Sequence, residues 1–296
     1  MPEITRFDIE MWIKGVATGE FHYKNVLGLN RVLTPKEDNK LRGIIFELCK
    51  AGICESIGRR DGYYRPIQDG VQPLDWQNIE ARRDSGLILP FGLREYIFIY
   101  PDTTTVVAGA KSSGKTGFCY RTVALNMKRI NTILLTNLEG GSSMLRDRFY
   151  AMTDVEIPKP APFTVLNVSE NFQDYIKKPN TLYVIDYIEA PEGKDFYLIG
   201  AAISKIDKKL QGLNSVAVIG LQKPWGRDIA FGGEQTIRSA TLYLAMDDKR
   251  LKIVDAKVPA DKKVHPKNMR WSFDYFDDGT RFENIQRIYG QEDMGW

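Results

Sequence analysis

Apolar and polar positions recur with a helical period over the first seventy residues, and with a strand-then-helix rhythm over most of the rest. Phe7, Ile9, Met11, Trp12, Ile13 and Val16 fall mostly on one helical face and Gly19 follows as a stop, so a helix is expected over 7–16. A second, short helix is expected over 23–29. Thr34-Pro35-Lys36-Glu37 has the cap, the first-turn proline and the acid of a helix start. Leu41, Ile44, Ile45 and Leu48 continue it at helical spacing up to Gly52. Two short runs, 53–57 and 63–67, flank Gly58-Arg59-Arg60-Asp61-Gly62 and read as a β-hairpin with an Asp-Gly turn. Beyond it, 68–90 has little periodicity and carries Asp69, Gly70, Pro73, Asp75 and the charged run Glu80 to Asp84, which suits a linker.

From 104 onward, apolar strand patterns alternate with helical ones. Strands are expected at 104–108, 132–136, 163–168, 181–186 and 215–220, with helices over 118–129, 142–151 and 198–213. Four more strands, at 240–245, 251–256, 270–275 and 281–288, close the chain. Alternation followed by an antiparallel run implies an α/β class protein, a three-layer core around a mostly parallel sheet. The expected domains are therefore 1–68, a linker 69–90, and a core 91–296.

Composition narrows the picture without naming a function. The 296 residues are 43% hydrophobic and 27% charged, with no apolar run that could span a bilayer and no basic-then-apolar opening segment, so a cytoplasmic protein with no membrane partner is expected. Cys49, Cys54 and Cys119 make neither a disulfide framework nor a zinc pattern, and His22 and His265 stand far apart. A net charge of +3 is too small to argue for nucleic acid by itself, so the position of the charge must do so.

The chemistry starts at Gly109-Ala110-Lys111-Ser112-Ser113-Gly114-Lys115-Thr116, a glycine, four residues, then Gly-Lys-Thr, set between an expected strand and an expected helix. Glycines let the backbone N–H groups turn inward around a phosphate chain, and the helix N-terminus adds a field that favours anions. ATP and Mg²⁺ are the implied ligands: Lys115 holds the β/γ-phosphates, the Thr116 hydroxyl holds the metal, and Phe118 follows as a further nucleotide-site candidate. Asp186 ends an apolar strand and can accept from a Mg²⁺-bound water. Glu139, at the carboxyl end of the strand after the phosphate-loop helix, is the candidate for polarising the attacking water, with Glu189 as a weaker alternative base. The stretch 223–234 mixes Lys223, Arg227, Trp225 and Phe231 with three glycines, a composition suited to gripping a single strand by stacking and phosphate contact.

Two resemblances follow from these features. Three helices closed by a basic-tipped hairpin resemble the winged helix-turn-helix family. That likeness implies a nucleic-acid face made of Lys36, Lys40 and Arg42 on the third helix and Arg59, Arg60 and Arg65 on the hairpin. The order of motifs after 90 resembles the RecA-like P-loop ATPase core, and most of all the DnaB-type hexameric helicases and their KaiC-like relatives. Thr136-Asn137-Leu138-Glu139 with Arg146 or Arg148 is similar to their catalytic segment. Ile219-Gly220-Leu221-Gln222 is similar to the strand before their DNA-contacting loop, and Gly232-Gly233 with 240–244 to the segment that closes it. This resemblance implies that Glu139 is catalytic, that Gln222 senses the γ-phosphate and relays to DNA, and that 223–234 contacts DNA. It also implies a nucleic-acid-dependent ATPase, forming a hexamer or filament of like subunits on single-stranded or forked DNA. There are departures: Pro259 stands where an arginine finger is usual, leaving Lys257, Lys262, Lys263 and Arg270 as candidate cations in trans, and Tyr187 rather than Glu follows Asp186. An ATP-switched DNA-binding regulator without helicase activity is the alternative.

Overall fold

A computed structural model describes residues 4–17, 19–28, 32–58, 60–67, 76–78, 83–138, 140–189 and 196–289. The chain divides into two compact units, Met1–Glu80 and Ala81–Trp296.

In the first unit, α1 (Arg6–Gly15) starts at a capping box in which Thr5 and Asp8 satisfy each other's backbone N–H groups. After it come β1 (Phe21–His22), a 3-10 segment Tyr23–Gly28, α2 (Pro35–Lys50), β2 (Cys54–Ser56) and β3 (Tyr63–Pro66). Thr34 and Glu37 form a second capping box, with Pro35 in the first turn. The short helix expected at 23–29 is broken, because Val26 is extended and Leu27 left-handed. The strands pair antiparallel in the order β1-β3-β2. Ile9, Ile13, Val26, Leu41, Ile45 and Leu48 form one core beneath them. Gly62 is required at the hairpin: its φ is +77° and a Cβ there would lie 2.6 Å from His22 Nε2. The Cys49 and Cys54 thiols, which their spacing did not pair, lie 3.3 Å apart and are both free.

The second unit holds β4 (Thr103–Gly109), α3 (Lys115–Asn126), β5 (Asn131–Thr136), α4 (Gly141–Tyr150), β6 (Phe163–Asn167), β7 (Thr181–Ile188), α5 (Tyr197–Leu210), β8 (Val216–Gln222), α6 (Gln235–Arg238), β9 (Ala240–Asp247), β10 (Arg250–Ala256), β11 (Arg270–Phe276) and β12 (Arg281–Ile288). Among the described residues they form one nine-stranded sheet, ordered β12-β11-β10-β9-β4-β8-β7-β5-β6. From β9 to β6 the pairs are parallel; β9 to β12 pair antiparallel.

The expected α/β class, three layers around a mostly parallel sheet, is thus present. Alternation along each strand feeds two cores. Val107, Val184, Val218 and Leu244 face the side of α3 and α4, while Val106, Ile185, Ile219 and Tyr243 face the side of α5, with its Ile199, Ile203, Ile206 and Leu210. Each such side chain contributes about 1.5–3 kcal/mol of burial. The strands expected after 240 fall at the expected places.

Part of the stretch expected to be linker is core. Leu87 and Leu89 are buried with Phe91 and Leu93. The backbone of the intervening Ile88 is bonded both ways to the Asn126 side chain of α3. A buried polar backbone needs a partner, and this one is supplied from a residue distant in sequence.

Candidate functional site

β4 is buried on both faces and delivers the chain to Gly109, where a Cβ would come within 2.6 Å of Ser113 Oγ and 2.7 Å of Lys115 Cβ. Gly114 has a φ of +89°, and this turn lets α3 begin at Lys115, three residues earlier than the periodicity suggests. Only a side-chain-free backbone can curl this tightly at the strand end. The loop is tied to the sheet by the Ala110 N–H, which donates to the Met246 carbonyl at 3.1 Å.

Lys115 and Thr116 face Asp186 on β7. Lys115 Nζ is 4.0 Å from Asp186 Oδ1 and 3.5 Å from the centre of the Tyr187 ring, and Thr116 Oγ1 donates to Asp186 Oδ1 at 3.4 Å. All three residues are at least partly withdrawn from solvent, with Asp186 only 4% exposed, so their charges act in a low-dielectric setting. Behind them, burial first and the Asp186 charge second push the Cys119 thiol well up and the Tyr120 phenol to about 12.

Within the loop, Ser113 Oγ is buried and finds no hydrogen-bond partner among the described residues. An orphan buried hydroxyl in this loop fits an anion such as a phosphate oxygen. The Thr116 hydroxyl and the Asp186 carboxylate fit Mg²⁺, a hard cation that uses one or two protein oxygens together with phosphate and water. Among the described residues, no cluster of three or more His, Cys, Asp or Glu could form a metal cage of its own.

The loop borders a cavity of about 880 Å³. Residues 110–117 line it together with Tyr275 and Phe276 at the end of β11 and Asp277, Asp278 and Gly279 of the turn that follows. Gly140, Met144 and Arg148 of α4, with Tyr187 and Gln222, complete the lining.

The turn is locked onto α3, since a Cβ on Gly117 would sit 1.5 Å from the Gly279 carbonyl oxygen. Asp277 anchors its other side, accepting from the Thr153 N–H at 3.3 Å, Thr153 Oγ1 at 3.1 Å and Arg281 Nε at 2.8 Å. Burial would raise the Asp277 carboxyl, but these bonds outweigh it and hold the group below the usual range. Phe282, 3.4 Å from the Cβ position of Gly114, packs on Phe91, which stacks on Phe118. The sequence shows Asp277-Asp278-Gly279 as a turn between strands; nothing local shows that it roofs the phosphate loop.

Several candidates stand elsewhere. Phe118 is fully buried in the core rather than facing the cavity, because α3 turns that side toward Phe91. Gln222 pairs in register with Gly109 and lines the cavity. Lys223 points inward: its side chain is fully buried and its Nζ meets Asp247 Oδ1 at 2.6 Å. Burial lowers its pKa even against that carboxylate. It therefore does not belong to an exposed strand-gripping surface.

Trp225 is 59% exposed and Arg227 is exposed, while Phe231 is half-buried against Phe196 with ring centres 5.1 Å apart. The 223–234 segment is bonded at several points along its length. The Lys223 N–H reaches the Gly109 carbonyl, the Phe231 N–H the Gln222 carbonyl, and the Ala230 N–H the Tyr243 hydroxyl, while Asp228 pairs with Lys252 at 2.6 Å.

Lys257 bonds to the Thr241 and Arg238 carbonyls at the start of β9, whereas the phosphate loop meets β9 at Met246, its other end. Lys262 and Lys263 are exposed in the segment after Lys257, and Arg270 starts β11 opposite Lys252. None of these four lines the cavity. Glu139 and Arg59 lie outside the described residues, and Glu189 is exposed.

In the first unit Lys36 and Lys40 are exposed. Arg42 is shared between Asp38 and the Tyr23 hydroxyl, Arg60 lies over the Tyr63 ring and Arg65 pairs with Glu55. Exposed pairs of this kind are worth at most about 1 kcal/mol, so the arginines can exchange partners. Among the described residues no helix is long and apolar enough to cross a membrane.

No protein-family model matches the chain, and no curated protein matches it in sequence. Among solved structures, a KaiC-like protein of the archaeon Pyrococcus horikoshii OT3 is similar at 15% identity and a TM-score of 0.49, over 71% of this chain and 99% of that one. The RadB recombinase is similar at 14% identity and a TM-score of 0.46, over 60% of this chain and 90% of that one. At these identities the similarity is one of backbone path. The strand order, with β8 between the phosphate-loop strand β4 and the Asp186 strand β7, and with α3 opened by the glycine loop, agrees with the RecA-like core that the motif order resembles.

Proposed function

We propose that this protein is an ATPase of the RecA-like, DnaB-related kind that works on DNA as an assembly of like subunits. The observation that carries the proposal is the convergence of Lys115, Thr116 and Asp186 on a phosphate-sized cradle with an orphan Ser113 hydroxyl, at the edge of a cavity large enough for a nucleotide. In this reading Lys115 offsets charge on the β- and γ-phosphates. Thr116 and Asp186 hold Mg²⁺, which when bound draws the phosphate oxygens together and withdraws charge from the bond that breaks. Gln222, at the strand end beside the cavity, couples the phosphates to the 223–234 segment. Glu139 polarises water.

The first unit supports a nucleic-acid role. Its order of helix, strand, 3-10 segment, helix and hairpin, with the sheet order β1-β3-β2, suits a winged helix whose α2 and hairpin carry Lys36, Lys40, Arg42, Arg60 and Arg65 outward. Trp225 and Arg227 offer a second, single-strand contact.

The second reading is an ATP-switched DNA-binding regulator. It is favoured by the extensive bonding of 223–234 and the withdrawal of Lys223, which leave that segment fewer side chains for a moving strand.

Steady-state ATP hydrolysis, alone and with single-stranded DNA, duplex DNA or RNA, tests both, with Lys115→Ala as the blank. Stimulation by one nucleic acid, abolished at least about 10³-fold by Lys115→Ala, supports the motor. Slow hydrolysis unchanged by any of them, with ATP-dependent DNA binding, supports the regulator. No binding of ATP by the wild type rejects both.

A further inference from the structure

Resting on the ATPase reading, we infer that Arg148 is the arginine of this nucleotide site and acts in cis, so that each chain carries a complete set of phosphate-binding cations. Gly140, Met144 and Arg148 are four residues apart and share one face of α4 and its leading turn, and all three line the phosphate-loop cavity. α4 is fixed against α3 by Tyr120 and Phe149, whose rings stack 5.0 Å apart at an interplanar angle of 8°. The wall carrying Arg148 is therefore held against the helix that carries Lys115 and Thr116.

Arg148 is half-buried, and among the described residues no carboxylate lies within ion-pair distance of it. Its neighbour Arg146 is exposed and paired with Asp147, the ordinary state of a surface arginine. Asp277, the acid across the cavity, is already held by Thr153 and Arg281. A partly desolvated guanidinium at an anion site suits a phosphate, two of whose oxygens it can grip through two parallel N–H donors. The γ-phosphate is the part of ATP that ADP lacks, so a contact there separates the two nucleotides.

The test uses the full chain with Arg148→Ala, Arg148→Lys and the triple variant Lys257→Ala/Lys262→Ala/Lys263→Ala. It reads affinity for fluorescent ATP and ADP analogues as well as hydrolysis per subunit over a hundredfold range of protein concentration. Expected for Arg148→Ala is a roughly tenfold or greater loss of ATP-analogue affinity with ADP-analogue affinity unchanged, and turnover down by about 10²–10³. Arg148→Lys should recover only part of this, because a point charge lacks the fork. The triple variant should turn over as wild type, at a rate per subunit independent of concentration.

Equal losses for ATP and ADP, turnover within twofold of wild type in Arg148→Ala, or collapse of turnover in the triple variant would each overturn the inference. If the wild type binds both analogues but hydrolyses nothing, the ATPase reading fails, while the affinity split still decides for or against Arg148.

Discussion

Two glycine-bearing loops leave neighbouring parallel strands at the same edge of the sheet, and they end up opposite in character. The loop after β4 curls around open space: its Ser113 hydroxyl is orphaned and its Lys115 borders a cavity. The segment after β8 begins one hydrogen bond away, with the Lys223 N–H on the Gly109 carbonyl, yet it fills its own interior with Lys223–Asp247 and Asp228–Lys252 pairs. Both mix glycine with cations, so composition does not distinguish them. What does is whether acids from other strands lie within reach of the cations. Asp247 at the end of β9 meets Lys223 at 2.6 Å, whereas Asp186 stands 4.0 Å from Lys115.

If Lys223 is held by Asp247, breaking this buried pair must cost stability rather than binding. Lys223→Met leaves Asp247 without its counter-charge and should destabilise by about 3–5 kcal/mol in urea unfolding, with Lys223→Met/Asp247→Leu recovering most of the loss. Unchanged stability with lost DNA binding would return Lys223 to the surface.

The next effect concerns the packing behind the first loop, and it depends on pH. Burial and Asp186 raise the Tyr120 phenol to about 12. An unfolded chain ionises its tyrosine near 10 and so sheds a proton that the folded chain keeps. Stability should be insensitive to this group below pH 10 and fall between 10 and 12 by up to about 2.7 kcal/mol. Tyr120→Phe should remove that part of the alkaline slope, read by unfolding at pH 8 and pH 11; an identical slope in the variant contradicts the assignment.

Gly117→Ala probes the roof. The new methyl must push the Gly279 carbonyl away, at about 1–3 kcal/mol, and should weaken ATP binding while leaving the parallel sheet folded; circular dichroism and nucleotide titration separate the two readouts. Smallest is Trp225→Ala at the exposed end of the second loop. Loss of one stacked base should weaken single-stranded DNA binding by about 1 kcal/mol, measured by anisotropy, with unfolding unaltered.

The central elements of the sheet are legible because β4, β7, β8 and β9 are buried on their own account: Val106, Val184, Val218 and Leu244 each sit in a β-branched or leucine-rich run that could be nothing else. The same holds for α2, whose capping box and Leu41, Ile44, Ile45 and Leu48 stripe are local features. Phe118 and Lys223 depart from expectation for the opposite reason. An aromatic next to a phosphate loop and a lysine in a glycine-rich segment look functional until Phe91 and Asp247, each more than twenty residues away, are seen to occupy them. Leu87 and Leu89 read as linker in the sequence since two apolar residues beside turn-formers carry no period of their own.

By itself the sequence determined the phosphate loop, its strand and helix, and the acid at the end of β7, because glycine conformations and buried runs are decided within a few residues of chain. Only the tertiary structure decided which wall faces that loop. The 276–279 turn, Arg148 and Gln222 come to one cavity from three separate parts of the sheet, and their meeting depends on strand order and on close approaches such as Gly117 to Gly279. Those are set by packing between distant segments, which no local pattern encodes.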